Sequence, residues 1–266
     1  MPQSVTFNFS DKVVIVTGGA RGIGRALSEG FAAAGAQVLC VDLDQAAGEA
    51  LAASDHAPGE IRFHRGNAAQ AADCQAAVAA AVARWGGLDI VCNNVGIMPL
   101  DAYLPAHELP EAAWNRIIDV NLKSAFLMTH YAIPQLVARG GGVIVNTASV
   151  QGLASAKQVS AYAASKGGLI SLTRQLALEY AAQKIRVLAI APGSVDTDLL
   201  RESAQLSSAE LAEQRKGWDL AHPIGRIAQP QEIANVVLFL ASDGASFMTG
   251  ETVCVDGGMM AKGAWA

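Results

Sequence analysis

The sequence predicts an α/β fold: one doubly wound, seven-stranded parallel sheet with helices on both faces. Three observations lead there: short β-branched runs with no polar face, alanine-rich stretches of helical spacing between them, and a length of 266 residues that suits one core. Strands that are apolar on both faces must be covered on both, and parallel neighbours joined by helical crossovers achieve this. No internal repeat or low-complexity linker divides the chain, so residues 1–266 read as a single domain.

The elements follow in order. Lys12 to Thr17 is a β-branched strand ending on glycines, and Gly22 to Ala34 then sets Ile23, Leu27 and Phe31 at helical spacing. A second strand, Gln37 to Val41, ends on Asp42, and a third runs from Ile61 to Arg65 after a loop containing Pro and Gly. An alanine-biased helix near Ala69 to Arg84 leads to a strand at Ile90 to Asn93. A long helix, Glu111 to Ala138, which Pro134 should kink, leads to a strand at Val143 to Thr147. A helix at Ser160 to Ala182, a strand at Arg186 to Ala191, a helix at Gln231 to Ala241 and a strand at Thr252 to Val255 complete the pattern. The irregular stretch Asp196 to Pro223 follows the carboxyl end of the sixth strand. Ligands bind beyond such ends, so 196–223 is expected to be a mobile substrate lid, with 1–10 and 259–266 as terminal extensions.

Composition narrows the function. Hydrophobic residues make up 52% and charged residues 16%, so much of the helical surface should be buried. No apolar run reaches the roughly 20 residues of a membrane span, and Met1 to Lys12 lacks a basic start followed by an apolar stretch. The chain is therefore expected in the cytoplasm and off the membrane. A net charge of -5 without any Lys/Arg cluster leaves no footprint for nucleic acid and favours a small-molecule substrate. Cys40, Cys74, Cys92 and Cys254 are scattered, as expected of thiols in a reducing compartment, and the dispersed histidines predict no metal site.

The turn Thr17-Gly18-Gly19-Ala20-Arg21-Gly22-Ile23-Gly24 joins the first strand to the first helix, where bare backbone lets a pyrophosphate approach the helix N-terminus. A glycine-rich turn alone also fits a tight strand-helix connection. Asp42 adds the context: at the end of the second strand it can accept hydrogen bonds from the adenosine ribose hydroxyls and would repel a 2'-phosphate, which favours NAD over NADP. Arg21 is the counter-argument, since a cation in the turn could reach that phosphate.

That turn, Asn93-Asn94-Val95-Gly96, Asn121, Ser149, Tyr162-Ala163-Ala164-Ser165-Lys166 and Pro192-Gly193 together resemble the short-chain dehydrogenase/reductase family, from about Asp11 to Gly258. The resemblance implies a Rossmann fold, a nicotinamide cofactor and hydride transfer between a secondary alcohol and a ketone. It makes Tyr162 the acid/base, gives Ser149 the substrate oxygen to hold and polarise, and assigns Lys166 also to the nicotinamide ribose. Asn121 would anchor a water in a proton relay to Lys166. Gly18, Gly22, Ile23 and Gly24 of the turn, with Asn94 and Gly96, would border the cofactor. Pro192 and Gly193 lead into the segment that meets the carboxamide, Val195 through its backbone and Thr197 through its hydroxyl. Asn67 departs from the aspartate frequent beside the adenine, although an amide oxygen can still accept from the adenine amine. A homotetramer is implied as well, and the alanine- and leucine-rich Glu111 and Ser160 helices suit self-packing.

The residues support these roles physically. Tyr162 and Lys166 stand four apart, so both project from one helix face. A phenol titrates near 10, and a neighbouring ammonium plus the charge of an oxidised nicotinamide would lower it towards use as a base. Ser149 follows the Val143 strand, at the ligand-facing end of such a sheet.

Around the reacting carbon we expect Met98, Gln151, Leu153, Gln158 and Ser194. The two glutamines could bind extra hydroxyls, which points to a polyol, sugar or sugar acid. Two alternatives stand beside this reading. One is NADPH-dependent reduction of a 3-ketoacyl thioester, against which Asp42 argues. The other is non-catalytic sensing of NAD(H), against which the intact Ser149, Tyr162 and Lys166 argue.

Overall fold

Seven strands, β1 (Val13–Thr17), β2 (Gln37–Asp42), β3 (Glu60–Arg65), β4 (Ile90–Asn93), β5 (Gly142–Thr147), β6 (Ile185–Pro192) and β7 (Thr252–Val255), form one sheet in the order β3-β2-β1-β4-β5-β6-β7. Every pairing is parallel. The structure is a computed structural model that describes residues 6–198, 200 and 208–262. Parts of the expected lid and of both terminal extensions, 199, 201–207, 1–5 and 263–266, lie outside the described residues.

The helices are α1 (Gly22–Ala33), α2 (Gln45–Ala52), α3 (Ala71–Trp85), α4 (Glu111–Ile118), α5 (Ser124–Ala138), α6 (Ser160–Tyr180), α7 (Ser208–Ala221) and α8 (Pro230–Ala241). They cover the sheet on both sides, and β1 shows why its sequence has no polar face. Val14 and Val16 enter a core shared with Leu27 and Phe31 of α1 and Val237 of α8, whereas Val13 and Ile15 enter one shared with Val78 of α3, Met128 and Leu136 of α5 and Leu176 of α6. Successive side chains point to opposite faces, and both faces are dry.

Two expectations need correction. The long helix is interrupted by a π turn at Asp119–Lys123, ahead of the proline, and α5 continues through Pro134. Its cause is Asn121, whose buried side chain is tied to a neighbouring loop, as detailed below. The 196–223 stretch is also not irregular throughout, because α7 occupies Ser208–Ala221; its polar run hides the helical period from a pattern read on apolar spacing.

The order of strands reverses between β1 and β4, so their connections depart in opposite directions and leave a crevice at the carboxyl edge. The candidate site lies there.

Candidate active site

The turn after β1 is built for close approach. Gly18 and Gly22 hold left-handed φ values of 62° and 51°, and a Cβ on Gly24 would fall 1.8 Å from the Gly18 carbonyl oxygen. Asn94, just past β4, ties the turn down: its Nδ2 donates to the Thr17 and Gly18 carbonyls at 3.2 Å, and its backbone N–H donates to Thr17 Oγ1 at 3.0 Å. Gly18, Arg21, Gly22 and Ile23 border the cavity, while Gly24 serves packing beneath the turn. The side chain of the N-cap residue, Arg21, makes no capping hydrogen bond to α1, which leaves the first N–H groups of the helix to an anion. The cradle fits the diphosphate of a dinucleotide.

At the adenosine end, Asp42 borders the cavity and is fixed by backbone: Oδ2 accepts from Ala20 N and Oδ1 from Asp44 N, each at 3.0 Å. Each carboxylate oxygen keeps a lone pair for a ribose hydroxyl. Arg21 is held by carboxylates, its Nε donating to Asp44 Oδ2 at 2.6 Å and a guanidinium nitrogen lying 3.7 Å from Asp198. Asn67 also lines the cavity, with its amide oxygen accepting from Ala69 N at 3.0 Å and one lone pair left over.

On the opposite wall, Lys166 is 3% exposed and its Nζ donates to Thr147 O at 2.8 Å, 5.7 Å from the Tyr162 ring centroid. Ser149 Oγ accepts from Gln151 N at 3.2 Å at the head of a short turn. That turn rests directly on α6: a Cβ on Gly152 would lie 2.7 Å from the Lys166 carbonyl carbon. Gly152 thus sets Ser149 against Tyr162 and Lys166, and its bare backbone is a signal the sequence reading passed over. The roles of Thr147 and Ser165, which hold Lys166 and Asn121, are not legible in the sequence, because each contact joins residues far apart along the chain.

Burial pushes the Tyr162 phenol up to about 12 against a hydrogen bond with Ser149 that lowers it, and burial brings the Lys166 ammonium down to about 8. The lowering expected for Tyr162 is therefore reversed in the protein alone. Desolvation outweighs the Ser149 hydrogen bond and Tyr103 adds to the rise, so a positive charge in the cavity is needed to bring the phenol down.

Asn121 is 1% exposed and stands behind the cavity wall. Its Oδ1 accepts from Ile97 N at 2.7 Å, while Nδ2 donates to Ile97 O at 2.9 Å and to Ser165 Oγ at 3.2 Å. A Cβ on Gly96 would lie 3.3 Å from Lys166 Nζ and 3.6 Å from Asn121 Oδ1, so bare Gly96 leaves a gap between these two polar groups.

One cavity of about 530 Å³ runs from Asp42 to Ser149, Tyr162 and Lys166, and also borders Asn94, Gly96 and the Pro192, Gly193, Ser194, Val195 and Thr197 segment. Its reaction end is walled by Met98, Val150, Leu200 and Met259. Gln151 reaches the cavity, but its Oε1 accepts from Ala156 N at 2.7 Å. Gln158 is not brought to the site: it is exposed, with a left-handed φ of 66°, and it and exposed Leu153 lie outside the lining.

The family model described as enoyl-(acyl carrier protein) reductase matches residues 18–260. The chain belongs to the short-chain dehydrogenase/reductase family. Cyclohexanol dehydrogenase of Acinetobacter sp. (strain SE19) is 38% identical over 263 residues, 98% of this chain and 100% of that protein. The crystal structure of levodione reductase superposes with a TM-score of 0.91 at 35% identity, covering 96% of this chain and 100% of the other. The ligand-free aldohexose dehydrogenase of Thermoplasma acidophilum gives 0.86 at 34% identity, with 96% of each chain covered. Like its relatives in this short-chain dehydrogenase/reductase family, the chain is an oxidoreductase acting on CH–OH groups with a nicotinamide cofactor. Among the described residues no helix is long and apolar enough to cross a membrane.

Proposed function

We propose that the chain oxidises a secondary alcohol carried on a six-membered ring, using NAD, with Tyr162 as the acid/base. The observation that carries this reading is the convergence of Ser149, Tyr162 and Lys166 on one wall of a cavity whose far end holds Asp42. When bound, the nicotinamide supplies the hydride acceptor. Ser149 Oγ and the Tyr162 phenol hold the carbinol oxygen between them, and Tyr162 takes its proton. The Lys166 ammonium, fixed on Thr147 O, favours the phenolate; in each turnover it releases one proton to a relay water in the gap beside Gly96, which Asn121 Oδ1 borders, and is restored by the proton Tyr162 took from the carbinol.

NAD is favoured because Asp42 would repel a 2'-phosphate and Arg21 is committed to Asp44 and Asp198. The apolar wall of Met98, Val150 and Met259 suits the face of a ring, and relatives named for cyclohexanol and for an aldohexose span the polarity such rings can have. A sugar is the polar limit of this class, for which Ser194 and the Gln151 amide nitrogen supply contacts. We further infer a cytoplasmic homotetramer folded as one domain with 196–223 as its lid. The buried free thiols of Cys40, Cys74 and Cys92 are consistent with a reducing compartment.

A panel of cyclic alcohols and aldohexoses with NAD or NADP, followed by absorbance of the reduced nicotinamide, tests the reading. Tyr162→Phe should lower kcat by about 100-fold to 10,000-fold and leave NADH binding intact. Retained turnover would overturn the acid/base assignment, and turnover with NADP alone would overturn the Asp42 argument.

A further inference from the structure

His222 lies one residue beyond α7 and is 3% exposed. Its Nε2 is 3.0 Å from the Ser194 backbone N and its Nδ1 2.6 Å from Trp218 O. A backbone N–H can only donate, so Nε2 must carry the lone pair and Nδ1 the proton that goes to Trp218 O. One neutral imidazole thus links the last turn of α7 to the backbone that follows β6. The two nearby carboxylates do not compete for it: Asp219 Oδ1 accepts from Ile227 N at 2.9 Å, and Asp256 accepts from Gly258 N at 3.0 Å and Met260 N at 2.7 Å.

The imidazole also accounts for a glycine. A Cβ on Gly193 would lie 2.5 Å from His222 Nε2, so the backbone after Pro192 is bare where the ring packs. The segment is also held by backbone pairing, with Gly193 N donating to Val255 O at 3.1 Å, Ala228 N to Ser194 O at 3.0 Å and Asp196 N to Ala228 O at 2.9 Å, and by an ion pair of the Asp196 carboxylate with Arg215 of α7 at 3.1 Å. The backbone bonds anchor it to β7 and to the approach to α8. His222 ties the backbone of the segment to α7, beside the exposed Arg215 that reaches the Asp196 side chain.

We infer that His222 is a positioning residue, which uses its Ser194 bond to set Val195 and Thr197 for the nicotinamide and so couples the seating of α7 to the geometry of the reacting ring. This rests on the proposed reading of Pro192 to Thr197 as the nicotinamide-facing segment. Asp42, at the adenosine end, ends β2 on the half of the sheet away from β6 and β7, so binding there should not feel the loss of His222.

The test compares binding of NADH and of ADP-ribose, which lacks the nicotinamide, to the full chain and to three variants. Gln at 222 can present an acceptor near the place of Nε2, Asn a donor near that of Nδ1, and Leu neither. For His222→Leu, NADH affinity should fall about tenfold, the scale of one lost buried hydrogen bond, with ADP-ribose affinity unchanged within about twofold. His222→Gln should recover most of the NADH loss and His222→Asn should not, a pair that decides the matter even if the leucine variant fails to fold. Parallel loss of both ligands, or equal behaviour of the Gln and Asn variants, would overturn the inference while leaving the site reading intact. Failure of the unaltered chain to bind either ligand would overturn the site reading and the inference with it.

Discussion

Arg21 weighs on the choice of cofactor as much as Asp42 does. A guanidinium in the glycine turn would welcome a 2'-phosphate, yet here it is drawn towards Asp44 and Asp198. Asp44 also caps α2, accepting from Ala47 N at 3.0 Å, so Asp44→Asn keeps a capping oxygen while removing the charge that holds the arginine. This variant should raise kcat/KM with NADP about fivefold, on the scale of an exposed ion pair, and adding Arg21→Ala should cancel the gain. An unchanged NADP:NAD ratio would mean that Asp42 acts alone. Lys166 gives a second prediction, in stability. Its folded pKa of about 8 lies below the 10.5 of an ordinary lysine, so between these the unfolded chain binds more protons and stability rises with pH. Below pH 8 the burial penalty is complete, at roughly 3 kcal/mol. Urea unfolding of the cofactor-free protein from pH 7.5 to 9.5 should therefore show the unaltered chain gaining on Lys166→Met; parallel curves would place the ammonium in a wetter site. The Tyr162 phenol, raised to about 12, acts with the opposite sign and only above its usual range near 10.

Among the elements, the π turn at Asp119–Lys123 does most to connect the fold with the chemistry. It turns Asn121 inward to clamp Ile97 through both its N–H and its carbonyl, which fixes the loop after β4 beside Gly96 and Lys166. Asn121→Leu would leave those buried backbone groups unpaired, and we expect a loss of about 2–4 kcal/mol in chemical denaturation together with lower kcat. A stability change under about 0.5 kcal/mol would show that the turn is held by packing alone. This element also marks where reading from the sequence stops. The glycine turn, Asp42 and the Tyr162–Lys166 pair are legible because each needs only near neighbours: a strand end, a fixed offset, one helical turn. The π turn is not, since its cause is a contact with Ile97 made only after folding. Gln151 and Gln158 mislead for a related reason: the loop sends one amide oxygen to Ala156 N and holds the other residue at φ 66° away from the cavity. Alternation of apolar and polar residues cannot report where a loop side chain points.

At the scale of the whole molecule, apolar side chains remain uncovered on both sides of the sheet. On the side of α3, α5 and α6, Trp114, Phe126 and Val137 are exposed along α4 and α5, and Leu178 of α6 is 81% exposed. On the opposite side, Phe239 of α8 is partly exposed and Phe247, just after it, is fully so. Single exposed hydrophobics are ordinary, but large ones gathered on two separate faces call for partners. A two-fold contact pairs a patch with its own copy, so two patches on separate faces allow two interfaces, and the proposed tetramer requires their two-fold axes to be perpendicular. Light scattering should then give about four times 27.5 kDa. Phe126→Glu and Phe247→Glu should each reduce the assembly to dimers, and the double variant to monomers, since a buried unpaired carboxylate disfavours either contact. A monomeric mass for the unaltered chain would overturn the tetramer. Dimers from one variant and intact tetramers from the other would assign one interface to the first patch and place the second interface away from the other phenylalanine. Phe247 is the cleaner probe of the two, because a side chain wholly in solvent within the subunit cannot lower the mass by unfolding it.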